Sequence, residues 1–315
     1  MIQSVINWLL NSDPAVVYQT KRDLLNLDER DLRAERNAML RSGWVKELLA
    51  LQDPEGTWRQ GYYGPKFIST HYTLMLLRRF ESPEDPKISK GCAELVKIES
   101  IGNTADPKQD MTRVDACITG MGLSILAFFK EQKKIKKDLF EYIKRNQLPD
   151  GGWNCRLGRY PNKKVKHSSM HTTLLVLEGL RELALNYPSY QLKVHDLIQP
   201  AHEFLLIHEL YKSHRTKKII HQDFIEISFP PRWKYNILTA LDYFQSVEVP
   251  YDSRMQDALR IIQNKGRDGF YYQGKQMSGK KFFPLGKPRA YSAFNTLRAQ
   301  RVLKAYQSQF DEGGR

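Results

Sequence analysis

The sequence has few cysteines, no long apolar run and almost no alternation of apolar and polar residues. Its three cysteines, Cys92, Cys117 and Cys155, are an odd number in a chain of 315 residues. That number suits a reducing compartment, where thiols fill the core or act as ligands. No apolar run approaches the roughly 18 residues that cross a bilayer, and the first residues lack a secretion signal. We therefore expect a soluble, cytoplasmic protein without a membrane span.

The scarcity of strand patterns leaves helices as the predicted framework. Apolar residues make up 41% of the chain, which is enough for a real core. Mostly apolar segments, which predict buried helices, lie at 13–25, 69–77, 112–129, 169–177, 231–244 and 292–300. Amphipathic segments alternate with them at 2–10, 30–52, 87–99, 136–147, 193–212 and 253–264. Six inner and six outer helices predict an all-α protein, an α/α toroid (α6/α6 barrel), over residues 1–306, followed by a polar tail at 307–315.

Three internal repeats support this arrangement. The turns "LQDPEGTW" (51–58), "NQLPDGGW" (146–153) and "KGRDGFYY" (265–272) each place an acidic residue and glycine before an aromatic residue. Each turn precedes an apolar segment with the opening Ser-x-(His/Phe)-x-Thr-Leu, which makes His71, His171 and Phe294 equivalent. We expect Gly56, Gly152 and Gly269 to adopt positive φ, and Trp58 and Trp153 to pack between hairpins.

At these residues the chain resembles the prenyltransferase and squalene-oxidase repeat superfamily. "QLPDGGW" is similar to its Gln-Trp repeat, and "QDPEGTW" is a close second. The Asp-x-Asp-Asp acid of class II terpene cyclases and the Asp-Asp-x-x-Asp motif of class I enzymes are both missing from the sequence. "VDACITGMG" and "MHTTLLVLEGL" instead resemble the Asp-x-Cys and His-Thr elements of protein prenyltransferase β-subunits, which jointly bind zinc.

The resemblance implies that Asp115, Cys117 and His171 hold zinc. Each lies in the first turn of an inner segment, and parallel neighbouring helices would bring these turns to one rim. Cys155, in the loop that leads to the same rim, would make the site a closed four-ligand zinc, whereas without it the metal keeps an open catalytic position. Taken singly, Asp115 is also an ordinary N-cap, Cys117 a small core residue and His171 a core histidine.

The net charge of +14 favours anionic partners. Loops near the predicted rim carry Lys164 and Lys281, and Arg113 and Arg232 stand near the starts of two inner segments. We expect Arg113 and Arg232 to neutralise an anionic group and Tyr235 to donate a hydrogen bond. His71, Trp233, Lys164 and Lys281 would line the substrate site.

These features favour a stand-alone zinc-dependent toroid enzyme, possibly prenyltransferase-like in its chemistry. Its substrate would be a small molecule that is anionic and partly apolar. A second hypothesis is a non-catalytic basic toroid that binds nucleic acid or another anionic surface. A third is a terpene or squalene cyclase-like enzyme that lacks the Asp-x-Asp-Asp acid. The sequence identifies no protein partner.

Overall fold

Helices are the regular structure of the chain. The computed structural model describes residues 2–61, 63–99, 115–131, 133–155, 165–287 and 289–312. Within these ranges there are isolated bridges but no β-strand, which confirms the all-α prediction. The α-helices are α1 (Gln3–Leu10), α2 (Pro14–Asp23), α3 (Arg33–Ala38), α4 (Gly43–Ala50), α5 (Thr70–Arg79), α6 (Pro86–Glu99), α7 (Ala116–Phe128), α8 (Lys133–Arg145), α9 (Met170–Asn186), α10 (Gln191–Ile207), α11 (Ile237–Ser246), α12 (Gln256–Lys265) and α13 (Ala293–Glu312).

The predicted apolar segments correspond to α2, α5, α7, α9, α11 and α13. The closest packing among them joins α7 and α9. A Cβ atom on Gly120 would lie 2.7 Å from Val176 Cα, and one on Gly179 would lie 2.5 Å from the Gly120 carbonyl oxygen. Because no side chain separates the two backbones at this crossing, α7 and α9 approach closely enough to bring their N-terminal turns together.

The first and last of these six helices pack against each other. Arg301 on α13 donates through Nη1 to Asp23 Oδ2 on α2, over 2.9 Å, and its other nitrogens bind Asp242 on α11. Both ends of the sequence are therefore joined through one buried guanidinium.

The repeated turns have a common hydrogen-bond pattern. The indole Nε1 of Trp153 donates to Ile143 O, and that of Trp58 donates to Leu48 O, both over 2.8 Å. Both indoles are fully buried. Positive φ occurs at Gly56, Gly151 and Gly269, so the second repeat uses Gly151 where we had expected Gly152. Gly151 follows an acidic residue just as Gly56 and Gly269 do, so positive φ occurs at the same position of the turn in all three repeats.

Two predicted segments differ from the observed helices. Residues 30–52 form α3 and α4 rather than one helix. The segment predicted to start at 231 becomes helical only at Ile237, because Asn236 caps α11 by accepting from Thr239 N over 2.9 Å and prolines at 230 and 231 lack the N–H that a helix interior needs. At the other end, α13 continues to Glu312, into the predicted tail. No described helix has the length and apolarity needed to span a bilayer.

Candidate functional site

The structure brings most of the predicted site residues to one end of the inner helices, which we call the rim. Asp115 is the N-cap of α7, and its side chain makes no capping hydrogen bond to the first turn. His171 lies in the first turn of α9, and Arg232, Trp233 and Tyr235 lie just before α11. Arg113 and Lys164 fall outside the described residues.

Cys117 and Cys155 meet at the rim. Their thiols are hydrogen-bonded to each other, and Cys155 Sγ also lies 3.1 Å from the hydroxyl oxygen of Thr172. The hydrogen bond from Cys117 lowers the pKa of Cys155, and the same bond together with burial raises the pKa of Cys117 well above its ordinary value. Of the two sulfurs, Cys155 is therefore the one that ionises more readily, and the thiolate is the nucleophilic form.

His171 is held as a neutral side chain. Its Nδ1 accepts a hydrogen bond from Tyr235 N over 2.8 Å, and Trp233 and Phe224 pack edge-on against the imidazole. Burial, with a contribution from nearby Lys234, lowers the pKa of His171 to about 4. Since Nδ1 uses its lone pair, Nε2 carries the proton in the neutral ring.

This arrangement does not fit the predicted zinc site. A metal-bound imidazole needs a free lone pair on one nitrogen, and in His171 the Nδ1 lone pair already accepts the Tyr235 N–H. Among the described residues, no three His, Cys, Asp or Glu side chains form a group that could hold a metal ion. Zinc at Asp115, Cys117, His171 and Cys155 therefore stays a prediction from the sequence.

Arg232 is a buried cation without a carboxylate partner among the described residues. Its side chain is 8% exposed, and its guanidinium lies 4.8 Å from the centre of the Phe67 ring. Burial lowers the pKa of Arg232 to about 10. A guanidinium that is removed from water without an anion loses solvation free energy that no ion pair restores.

The loop before α5 adds residues that the sequence reasoning missed. Lys66 Nζ lies 5.1 Å from the Tyr63 ring centre and 5.7 Å from that of Trp233. Tyr72 OH donates to Tyr63 OH over 2.9 Å. The sequence "GYYGPKF" (61–67) could have indicated them. It occupies the same position in the repeat, between an outer and an inner segment, as the lysine-rich stretches at 162–166 and 280–281.

The remaining predicted residues have different surroundings from those expected. Tyr235 is 1% exposed, and its hydroxyl donates to Leu210 O over 2.6 Å. Its contribution at the rim is the backbone N–H that binds His171. His71 is 1% exposed and lies among the rings of Tyr63 and Tyr72 rather than on an open cavity. Lys281 lies beside Arg232 at a small pocket of about 20 Å³ and donates to Gln276 Oε1.

No family model matches the sequence, and no curated protein matches it. Solved structures similar to the chain include a variant of the type II terpene cyclase MstE from Scytonema in complex with its substrate, geranylgeranyl dihydroxybenzoate. That structure is 15% identical with a TM-score of 0.34, over 88% of this chain and 98% of the other. A second MstE variant, in complex with the product merosterolic acid A, is 14% identical with the same TM-score, over 89% and 98% of the two chains. Both are terpene cyclases, a class within the superfamily that the repeats resemble. A likeness at this TM-score carries no argument about the reaction of this chain.

Proposed function

We propose that α2, α5, α7, α9, α11 and α13 form the inner ring of a closed α/α toroid. In support, α2 packs on α13, α13 on α11, α5 on α7 and α7 on α9. In such a ring the inner helices run parallel, so their N-terminal turns share the rim and their C-terminal turns share the opposite end.

Within this ring we propose that the chain is a stand-alone enzyme that binds a small, anionic and partly apolar substrate at the rim. The observation that carries the proposal is Arg232, a buried guanidinium without an anionic partner among the described residues. A phosphate or carboxylate on the substrate would supply the missing charge through a bidentate, charge-assisted contact. Lys66, which lies against Tyr63 and Trp233, would add a second positive charge.

Aromatic residues beside these cations would contact the apolar part of the substrate. Tyr63, Trp233 and Phe67 pack around Lys66 and Arg232, and Trp233 Nε1 is buried without a hydrogen-bond partner in the described residues. A donor in that state favours a ligand that accepts a hydrogen bond. The rim thus combines positive charge, apolar rings and one unused N–H group.

Cys155 is the reactive group in this proposal. Its sulfur would attack a substrate carbon that bears an anionic leaving group: a C–S bond forms, the C–O bond to the leaving group breaks, and the departing anion takes the bonding electron pair. Attack of water on the same carbon would then form a new C–O bond and break the C–S bond, which returns the sulfur of Cys155 as a thiolate and releases one proton from the water. Arg232 and Lys66 would stabilise the charge that develops on the departing oxygen. Thr172 and Cys117 donate to the sulfur and would keep it ionised before the attack.

Binding and turnover test the two parts of the proposal separately. Full-length protein is titrated with geranyl diphosphate and with geraniol, and we expect only the diphosphate to bind. Arg232→Gln should weaken the binding at least tenfold, whereas Arg254→Gln, at an arginine paired with Glu203 and Asp252, should leave it unchanged. Cys155→Ser should bind normally but form no covalent adduct in intact-protein mass spectrometry. Equal affinity in wild type and Arg232→Gln would remove the basis of the proposal.

A cyclase reaction is a second candidate, favoured by Asp115. Asp115 stands at the start of α7 and is 2% exposed. Its carboxyl group could supply the proton that starts cyclisation of an alkene. Incubation with geranylgeranyl diphosphate and squalene, followed by product analysis by mass spectrometry, tests this candidate. Cyclised products that disappear in Asp115→Asn would support it, and a complete lack of cyclised products would eliminate it.

Zinc and nucleic acid stay predictions from the sequence. Elemental analysis of purified protein tests the first, with Cys117→Ser as the matched variant. The second requires binding that weakens steeply with salt and depends on Lys164 and Lys281. If a nucleic acid bound in this way and Cys155→Ser changed no reaction, the chain would be a binding module rather than an enzyme.

A further inference from the structure

A large charged cavity lies at the opposite end of the inner helices. Its volume is about 870 Å³, which falls in the range of small-molecule sites. The walls come mainly from the C-terminal turns of α2, α5, α7 and α9, from α3 and α11, and from the N-terminal half of α13, where Thr239 on α11 and Phe294 on α13 extend the lining towards the rim. The residues that the argument uses are Arg79, Arg181, Arg298, Asp242, Phe229 and Phe294.

Ion pairs cover much of the cavity wall. Arg79 Nη2 lies 2.9 Å from Glu178 Oε2, and Arg298 Nε lies 2.9 Å from Asp242 Oδ2. The Arg79 side chain is 11% exposed and that of Arg298 is 3% exposed. An apolar chain would leave these groups desolvated, so the cavity suits a polar ligand.

At the described part of this wall, the buried polar groups that lack a hydrogen-bond partner are donors. Arg298 Nη1, Arg79 Nε and Arg181 Nε are buried without hydrogen-bond partners among the described residues. The described side chains that line the cavity include nine basic and eight acidic ones. Because the unused groups are all guanidinium N–H donors, a complementary ligand must bring oxygen acceptors and negative charge.

We propose that this cavity is a second binding site, for a small polyanion that carries phosphate or carboxylate groups. Arg298 and Arg79 would bind the charged oxygens, with Arg181 nearer the opening, where its side chain is 26% exposed. Phe229 and Phe294, whose rings stack at 4.2 Å, would contact the carbon skeleton. The anion would use donors that the protein's own carboxylates leave unused.

This site shares no lining residue with the rim, although Arg232 lies close enough to Arg79 for their charges to repel each other. The segment 229–233 lies between the two, with Phe229 at the cavity and Arg232 at the rim. Along α9, His171 at the rim and Glu182 at the cavity are eleven residues apart, which is about 16 Å of helix. The proposal therefore does not depend on the function proposed for the rim.

Calorimetric titration of the full-length protein with inorganic pyrophosphate and with citrate tests the proposal. The two titrants distinguish a phosphate ligand from a carboxylate ligand, and chloride at the same ionic strength is the reference. We expect one of them to bind, and Arg298→Gln to weaken that binding at least tenfold. Arg181→Gln, at a more exposed position that a folding defect would affect less, should weaken it three- to tenfold.

Two control variants separate the cavity from other anion sites. Arg254→Gln removes a guanidinium outside the cavity and should leave the affinity within twofold of wild type. Arg232→Gln removes the rim cation, which acts on Arg79 only through space, and should weaken the binding far less than Arg298→Gln does, so a failure of the rim proposal leaves this result intact. The proposal is overturned if neither anion binds, if folded Arg298→Gln and Arg181→Gln bind as wild type does, or if Arg232→Gln alone abolishes binding.

Discussion

The backbone N–H of Tyr235 donates a hydrogen bond to Nδ1 of His171 over 2.8 Å. This contact joins the segment before α11 to the first turn of α9 and fixes which imidazole nitrogen carries the proton. His171 therefore presents an Nε2–H donor to its surroundings instead of a lone pair. A residue predicted from the sequence to bind a metal is thus a neutral hydrogen-bonding group.

Two buried histidines make the stability of the protein sensitive to acid. Burial lowers the pKa of both His171 and His202 to about 4, so each favours the neutral form in the folded chain. The unfolded chain takes up protons near pH 6.5, and the stabilisation present above that pH is lost as the pH falls towards 4. Each histidine should lower the free energy of unfolding by about 2 kcal/mol between pH 7 and pH 5.

Urea unfolding at the two pH values measures this effect. His202 Nε2 bonds Tyr243 OH over 3.0 Å, and His202→Gln keeps a polar group there while removing the titration. We expect its loss of stability on acidification to be smaller than that of wild type by about 2 kcal/mol. His167→Gln, at an exposed side chain, is the control and should behave as wild type. An identical pH dependence in His202→Gln would contradict the explanation.

The three cysteines should differ in reactivity. Hydrogen bonds from Cys117 and Thr172 lower the pKa of Cys155, whereas burial raises the pKa of Cys92 well above its ordinary value, so that this thiol stays protonated in neutral buffer. Limited iodoacetamide at pH 7.5, followed by peptide mass spectrometry, should therefore label Cys155 first and Cys92 only after unfolding. Thr172→Val should slow the labelling of Cys155 several-fold. Faster labelling of Cys117 would show that Cys117, and not Cys155, is the thiol that ionises more readily.

Substitution of Asp242 should destabilise the protein more than substitution of most other charged residues. Its carboxylate binds both Arg298 and Arg301, and these two guanidinium groups hold its pKa well below the ordinary range despite burial. Asp242→Asn leaves two buried cations short of an anion, which should cost about 3–5 kcal/mol. Asp252→Asn, at a more exposed pair with Arg254, should cost less than about 1 kcal/mol. Thermal or urea unfolding compares the two, and equal costs would argue against the buried network.

The repeat turns allow a matched test of packing. Trp153→Ala should cost about 3–5 kcal/mol because it empties a fully buried site. Trp153→Phe fills most of that volume but leaves Ile143 O without its donor, which should lower the free energy of unfolding by about 1–3 kcal/mol. The same pair of substitutions at Trp58, which donates to Leu48 O, should give the same order. If the alanine variants at the two positions unfolded as wild type does, the turns would not be structural units of the fold.

The sequence predicted the turns well because their chemistry is local. The threonine shared by the three openings bonds the aromatic residue of the turn in two repeats: Trp153 N donates to Thr173 Oγ1, and Tyr271 N donates to Thr296 Oγ1. In the first repeat Thr70 does so instead, a shift that the pattern alone did not reveal. Periodicity also identified the buried helices, because apolar faces repeat with the period of the helix.

The details of the site were less predictable. Sequence order placed Cys117, Cys155 and His171 near one another, but it carried no information about the Tyr235 N–H that uses the imidazole lone pair. The sequence did indicate charges near the buried helices, since Asp242 interrupts an otherwise apolar segment and Arg79 and Glu178 come just after two others. Only the three-dimensional arrangement shows that these separate charges face one cavity.

The contact between Arg301 and both Asp23 and Asp242 constrains when the protein can fold. Arg301 follows Asp23 by 278 residues, so all of that intervening sequence must leave the ribosome before the carboxylate of Asp23 receives its cation. Until then, apolar faces of the first helices lack the partner that finally covers them, and such intermediates are prone to aggregate. Helix α13 thus completes the packing of α2, which is made much earlier in the chain.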